Sequence, residues 1–134
     1  MSQDANKQVV LHYVEAFNRG DLDALGKLFA PDALIFGVLG WGGLDKAMPI
    51  WEELHESFET NLQVEDIIAE GEVVAVRYVE RGKSLKSFRG HAATGKSYEI
   101  TAMEWFIIRD NHIYRRWGAR DSATQFRQME ISMS

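Results

Sequence analysis

Apolar residues at Val9, Val10, Tyr13, Val14 and Phe17 recur at helical spacing and give the start of the chain one continuous stripe. Asn18-Arg19-Gly20 closes that helix, because glycine tolerates the left-handed cap conformation. Asp21 then offers its carboxylate to the open amides of a second helix, whose apolar face is Leu22, Leu25, Leu28 and Phe29. Pro31-Asp32 stops this helix, and a short strand is expected over 33–38. Gly37, Gly40, Gly42 and Gly43 read as a flexible loop around Trp41. A third helical pattern fills Leu44–Phe58, with Pro49 tolerable only near its first turns.

After residue 60 the period changes. Residues 62–70, 72–83, 96–109 and 112–121 are strand-like, rich in Val, Ile and aromatics. Asp110-Asn111 is a good two-residue hairpin turn, since both types accept positive φ. Ser122–Met129 is expected to turn back as a short helix. The order ααβαββββ, with mostly antiparallel strands, makes a single α+β domain over 1–134. Its two leading helices form a fixed V that must close over a curved sheet.

Composition narrows the field without naming a reaction. The chain has 134 residues, 46% of them hydrophobic, enough for one core. No apolar run reaches membrane-spanning length, and no export leader is recognisable. With no cysteine, disulfides and thiolate chemistry are absent and a cytoplasmic location is expected. A net charge of −5 argues against nucleic acid as a partner. His12, His55, His91 and His112 match no metal-ligand spacing, so neither a metal nor another cofactor is expected. Arg81, Lys83, Lys86, Arg89 and Lys96 read as a solvated hairpin tip, or as a guide for an anionic substrate.

Three residues carry candidate acid/base chemistry. Asp121 ends the last strand; aimed into an apolar pocket, it would have its pKa raised by desolvation. It is equally placed to cap the helix at Ser122 or to pair with Arg116 or Arg120. Glu104 shares a strand face with Ile100, Ala102, Phe106 and Ile108. Pairing across Asp110-Asn111 sets Phe106 opposite Arg115, Glu104 opposite Trp117 and Ile100 opposite Asp121, which puts both acids on one face. One β-bulge would reverse that relation; Glu104 is equally placed to form a salt bridge with Arg115 or Arg116 on the other sheet face. Tyr13 lies on the buried stripe of the first helix, where its hydroxyl needs a partner. Beside a protonated acid it would form an oxyanion hole; otherwise it fills the core. Phe17, Phe36, Trp41, Phe58, Trp105 and Trp117 are the candidates to line a cavity for a small hydrophobic ligand.

The segment Tyr13-Val-Glu-Ala-Phe-Asn-Arg-Gly-Asp-Leu-Asp-Ala-Leu-Gly-Lys-Leu-Phe-Ala-Pro-Asp-Ala33 resembles the opening of the nuclear transport factor 2-like superfamily. That resemblance implies a cone-shaped, cystatin-like α+β fold with three N-terminal helices on the sheet. Residues 9–34 look most like ketosteroid isomerase, whose oxyanion-hole Tyr falls on Tyr13 and whose partner acid falls on Glu104. The isomerase's proton-shuttling Asp would fall at Gly37, which cannot move a proton. The second half resembles the SnoaL-like polyketide cyclases in Gly90-His-Ala-Ala-Thr-Gly-Lys96 and in Asp110-Asn-His-Ile-Tyr-Arg-Arg-Trp-Gly-Ala-Arg-Asp121. Their catalytic Asp matches Asp121.

The resemblance implies a cofactor-independent acid/base enzyme on a carbonyl-containing, polycyclic or aromatic molecule, closing a ring by aldol attack or isomerising it. A non-catalytic small-molecule or protein-binding module is one alternative. A hydrolase or dehydratase with a carboxylate activating water is another, although Arg116, Arg120 and Asp121 lack a clear second Asp. Met103, Trp105 and Ile107 alternate with Ala102, Phe106 and Ile108, so both sheet faces are apolar. A homodimer built sheet to sheet is expected.

Overall fold

A computed structural model describes residues 3–37 and 40–132. Helices α1 (Gln3–Arg19), α2 (Leu22–Lys27) and α3 (Leu44–Phe58) precede most of the sheet, and α4 (Ser122–Met129) follows it. The strands are β1 (Phe29–Gly37), β2 (Gly40–Gly42), β3 (Asn61–Glu70), β4 (Val73–Lys83), β5 (Ser97–Arg109) and β6 (His112–Arg120). They form one sheet in the order β2-β1-β6-β5-β4-β3. Among the described residues, only the β1–β6 pair is parallel. This is the expected α+β arrangement of helices on a mostly antiparallel sheet. Among the described residues, no helix is long and apolar enough to cross a membrane.

The α1 stripe packs on Val74, Val76 and Tyr78 of β4 and on Ala102, Phe106 and Ile108 of β5. Each aliphatic side chain so buried contributes about 1.5–3 kcal/mol. The turn into α2 is fixed from two directions. Gly20 has φ +71°, and a Cβ there would stand 2.4 Å from His55 Nε2. Asn18 donates to the Leu62 carbonyl at 2.9 Å and accepts from the Leu62 amide at 2.8 Å, tying the end of α1 to β3. Asp21 Oδ1 accepts from the Ala24 amide at 3.1 Å, as a helix cap should.

Three local expectations give way. The second helix ends at Lys27, and Phe29 opens β1 rather than continuing a helical face. Phe29 pairs with Ile113, but the next pairing is Leu34 with Arg115. Pro31 sits in the irregular stretch between them, where its missing donor costs no ladder bond. The glycine-rich segment is not a loop. Phe36 pairs with Trp41 and Gly37 with Gly40, adding a short sixth strand; the expected strand end at Val38 lies outside the described residues.

The third change matters most for the site. Asp110 and Asn111 take φ of 50° and 61° and form the expected turn, with Arg109 opposite His112 and Ile108 opposite Ile113. The next pair is Ile107 with Arg115, so Tyr114 is an extra residue. Beyond this bulge every β6 side chain changes face. Glu104 stands opposite Gly118 instead of Trp117, and Phe106 opposite Arg116 instead of Arg115. Asp121 falls beyond the strand and is not opposite Ile100.

The face turned away from the helices carries a row of apolar residues across all six strands. Trp41, Phe36, Trp117, Trp105, Ala75 and Ile68 are successive register partners. Ile68 is 68% exposed and Trp105 50%, with Met103 beside them at 52%.

Candidate functional site

A cavity of about 620 Å³ opens between α3, α4 and the helix-facing side of β6. Ala47, Ile50, Trp51 and Leu54 of α3 form one wall, and Phe88, Phe126 and Ile131 form another. Arg116, Gly118 and Arg120 are alternate residues of β6 and make the floor. A Cβ on Gly118 would lie 3.1 Å from the guanidinium carbon of Arg116, so glycine leaves room for that side chain to lie across the strand. Lys46, Arg89 and Arg127 complete the ionisable lining, in which there is no Asp, Glu or His among the described residues.

Behind each floor arginine stands a buried carboxylate. Glu104 Oε2 accepts from Arg116 Nε at 2.5 Å, from Arg116 Nη2, and from Tyr13 Oη at 3.0 Å. Its other oxygen, Oε1, is buried without a hydrogen bond, as is the nearby Tyr78 hydroxyl. The two stand in each other's field without hydrogen-bond geometry: burial first, and then the Glu104 charge, push the Tyr78 pKa up. The same two causes raise Tyr13, so its hydroxyl stays protonated as a donor. Burial alone would lower the pKa of Arg116, but the attraction of Glu104 outweighs it and the net shift is upward.

The second triad repeats the first one turn of the pleat away. Glu80 accepts from Arg120 through both oxygens and from Tyr98 Oη at 2.6 Å. Thr60 Oγ1 lies 3.1 Å from the same Tyr98 hydroxyl. Arg120 Nη1 holds no hydrogen bond to a described residue, although Nε and Nη2 are both engaged. Two charge pairs in low dielectric are expensive to desolvate, and each here is held by two guanidinium nitrogens on the carboxylate and by a tyrosine hydroxyl.

Of the expected acid/base residues, the structure brings Tyr13 and Glu104 together and leaves Asp121 apart. Tyr13 does not face the cavity; it donates to Glu104 and packs edge-on to Phe29, Trp51 and Phe106. Asp121 is exposed and caps α4, accepting from the Thr124 amide at 3.1 Å and the Thr124 hydroxyl at 2.6 Å. The expected upward pKa shift is therefore reversed. The Thr124 hydroxyl, then the Thr124 amide, hold the carboxyl below its usual value. A depressed folded-state pKa adds stability that is present above the unfolded value and is lost only as pH falls through the folded one. Asp121 thus contributes no pH dependence between pH 5 and 8. Asp121→Asn, which keeps a capping oxygen, is expected to leave Tm and turnover unchanged, whereas Asp121→Ala lowers Tm in thermal unfolding. A loss of turnover in Asp121→Asn at unchanged Tm would put this carboxylate into the reaction.

None of the expected aromatic lining residues lines the cavity. Phe17 is buried in the main core and Phe58 in a second cluster with Phe88, Tyr98 and Met129. Phe36, Trp41 and Trp117 pack together on the outer face, with ring centroids 5.1 and 5.5 Å apart, and Trp105 lies on that face too. The Tyr114 bulge is the cause for Trp117, since an unbroken register would have turned it inward.

Sequence reasoning missed Trp51 and Glu80; it named Arg116 and Arg120 as ion-pair partners, and Arg116 does pair with Glu104, but it did not place either on the cavity floor. A signal for Glu80 was present: Val74, Val76, Tyr78 and Glu80 alternate as one buried face, the same pattern that marked Glu104. The arginines had no such signal, because their face depends on the bulge. Among the described residues no group of three His, Cys, Asp or Glu is placed to hold a metal ion.

Against this geometry, a family model described as SnoaL-like polyketide cyclase matches residues 7–129. IdmH from Streptomyces antibioticus, a candidate polyketide cyclase, is 28% identical with a TM-score of 0.84, over 94% of this chain and 99% of that one. A candidate polyketide cyclase from Xanthomonas campestris pv. campestris is 26% identical with a TM-score of 0.85, over 95% and 98%. AclR from Streptomyces galilaeus, described as a candidate hydroxylase, is 22% identical with a TM-score of 0.88, over 96% and 98%, a likeness of fold alone. No curated protein matches the chain.

Proposed function

Starting from a chain that belongs to the SnoaL-like polyketide cyclase family, we propose a cofactor-independent acid/base enzyme acting on a carbonyl-containing, polycyclic or aromatic small molecule. The reaction is enolate formation followed by aldol ring closure or isomerisation. The observation that carries this reading is Arg116, which lines an apolar-walled cavity while holding a buried carboxylate behind it.

The chemistry follows from moving charge within that pair. A substrate carbonyl oxygen at the floor takes hydrogen bonds from Arg116 that Glu104 held before. Glu104 stands behind Arg116 and does not itself line the cavity. Once the guanidinium has turned to the substrate oxygen, the carboxylate reaches and removes the proton α to that carbonyl. The negative charge passes from the carboxylate to the enolate oxygen and stays beside the same guanidinium, so the site holds the same net charge throughout. Attack of the enolate carbon on a second carbonyl forms the new C–C bond. The resulting alkoxide recovers the proton from Glu104, and the ion pair is restored. Tyr13 positions Glu104 by donating to Oε2, while Oε1 is buried without a hydrogen bond and opens to the cavity only when Arg116 moves with the substrate oxygen.

The test uses 2-tetralone, a bicyclic aryl ketone with a slowly exchanging α-proton, in D2O followed by NMR. The protein is expected to accelerate deuterium incorporation above the buffer rate. A buffer rate in the presence of protein that binds the ketone would sink the catalytic reading. A ligand-binding module would then remain, a reading favoured by the absence of any lining Asp, Glu or His among the described residues.

The outer apolar row is covered by a second copy of the chain in this proposal. Phe36, Trp41, Trp105 and Ile68 are exposed in the isolated protomer, and a contiguous apolar surface of this extent seeks a partner. Light scattering after size exclusion is expected to give twice the 15.3 kDa protomer mass. Trp105→Lys is expected to shift the peak to the monomer. A wild-type monomer at micromolar concentration would defeat the dimer.

A further inference from the structure

We infer that the cavity takes its ligand as an anion: an aromatic or polycyclic molecule bearing a carboxylate or an acidic, ionised enol. This rests on the cavity being the ligand site, but not on turnover. The chain is acidic overall, with a net charge of −5, yet every ionisable side chain lining the cavity is a cation. Lys46, Arg89, Arg116, Arg120 and Arg127 come from four separate parts of the fold, so helix periodicity does not account for the bias.

These cations are not equivalent. Arg116 is committed to Glu104 and to the Phe36 carbonyl, and Arg89 to Glu53. Arg120 is held rigidly by Glu80 through Nε and Nη2, which leaves Nη1 as a donor fixed in place beside the floor. Arg127 donates to the Thr124 hydroxyl and makes no ion pair within 4.0 Å among the described residues. Arg127, with Ser122 and Ala123, comes from α4 and stands at the same opening. A ring system fits between Trp51 and Phe126, and its charged group meets Arg120 Nη1 and Arg127. Planar guanidinium donors suit two-oxygen anions better than they suit neutral carbonyls.

The probes are 2-naphthoate and 2-naphthamide, which share one ring system and differ in charge. Isothermal titration at 50 mM salt is expected to show the carboxylate binding at least tenfold more tightly. Raising salt to 500 mM should shrink that advantage, because exposed Arg127 is screened. Arg127→Gln, at an exposed helix position that leaves the core untouched, is expected to weaken naphthoate several-fold and leave naphthamide unchanged. Arg120→Lys, which keeps a charge beside Glu80, should weaken naphthoate further. Equal affinity for the two probes, or an Arg127→Gln effect equal on both, overturns the anion inference while leaving the cavity a ligand site. Binding of neither probe overturns the inference and the assignment of the cavity together.

Discussion

A Glu104→Gln protein is expected to lose about 100-fold or more of the α-proton exchange rate while still binding a naphthyl probe. Gln keeps the acceptor oxygen that Tyr13 needs and the side-chain volume, but its amide takes no proton at neutral pH. Circular dichroism on the same sample checks that the fold survives the unpaired Arg116. Arg116→Lys provides the complementary result. It retains the charge but not the forked geometry that reaches Glu104 and the floor together, so kcat should fall more than the KM rises. Exchange at the wild-type rate in Glu104→Gln would remove Glu104 from the reaction.

Glu80→Ala is expected to destabilise the protein by about 3–5 kcal/mol in urea unfolding, because it leaves a charged guanidinium buried without its partner. Glu80 is 3% exposed and receives donors from two residues, Arg120 and Tyr98. The penalty belongs to the orphaned group rather than to the pair itself. Glu80→Ala with Arg120→Ala should therefore cost clearly less than the sum of the two single changes. Strict additivity would show that solvent reaches Arg120 and that the site is wetter than its burial implies.

The parts of the fold fixed by local chemistry could be read from the chain. Asn18, Gly20 and Asp21 determine the bend between α1 and α2, and each acts within a few residues or through one reach to Leu62. The bounds Leu44–Phe58 and Ser122–Met129 were legible in the same way. Glu104 and Tyr13 stood out as polar groups on apolar stripes, and they do meet. Phe29 was misplaced because its spacing suits a helix, whereas its pairing with Ile113 is a tertiary contact 84 residues away. The β2 strand was hidden for a similar reason: glycine signals freedom, and only pairing with β1 withdraws it. Asp121 was misjudged through register. Its immediate neighbours fit a cap and a strand end equally well, and the choice was made by Tyr114, seven residues earlier.

That extra residue has a consequence for how the protein could change. Deleting Tyr114 would make Ile113 and Arg115 consecutive opposite Ile108 and Ile107, so β6 would become regular and every downstream pairing would be kept. The two floor guanidiniums would still face Glu104 and Glu80 and Trp117 would stay outside; what would go is the local bend and added twist of the bulge. A one-codon loss at the bulge is therefore the mild change, and a one-codon gain between Arg115 and Arg116 the severe one, because it would turn Arg116, Gly118 and Arg120 away from Glu104 and Glu80.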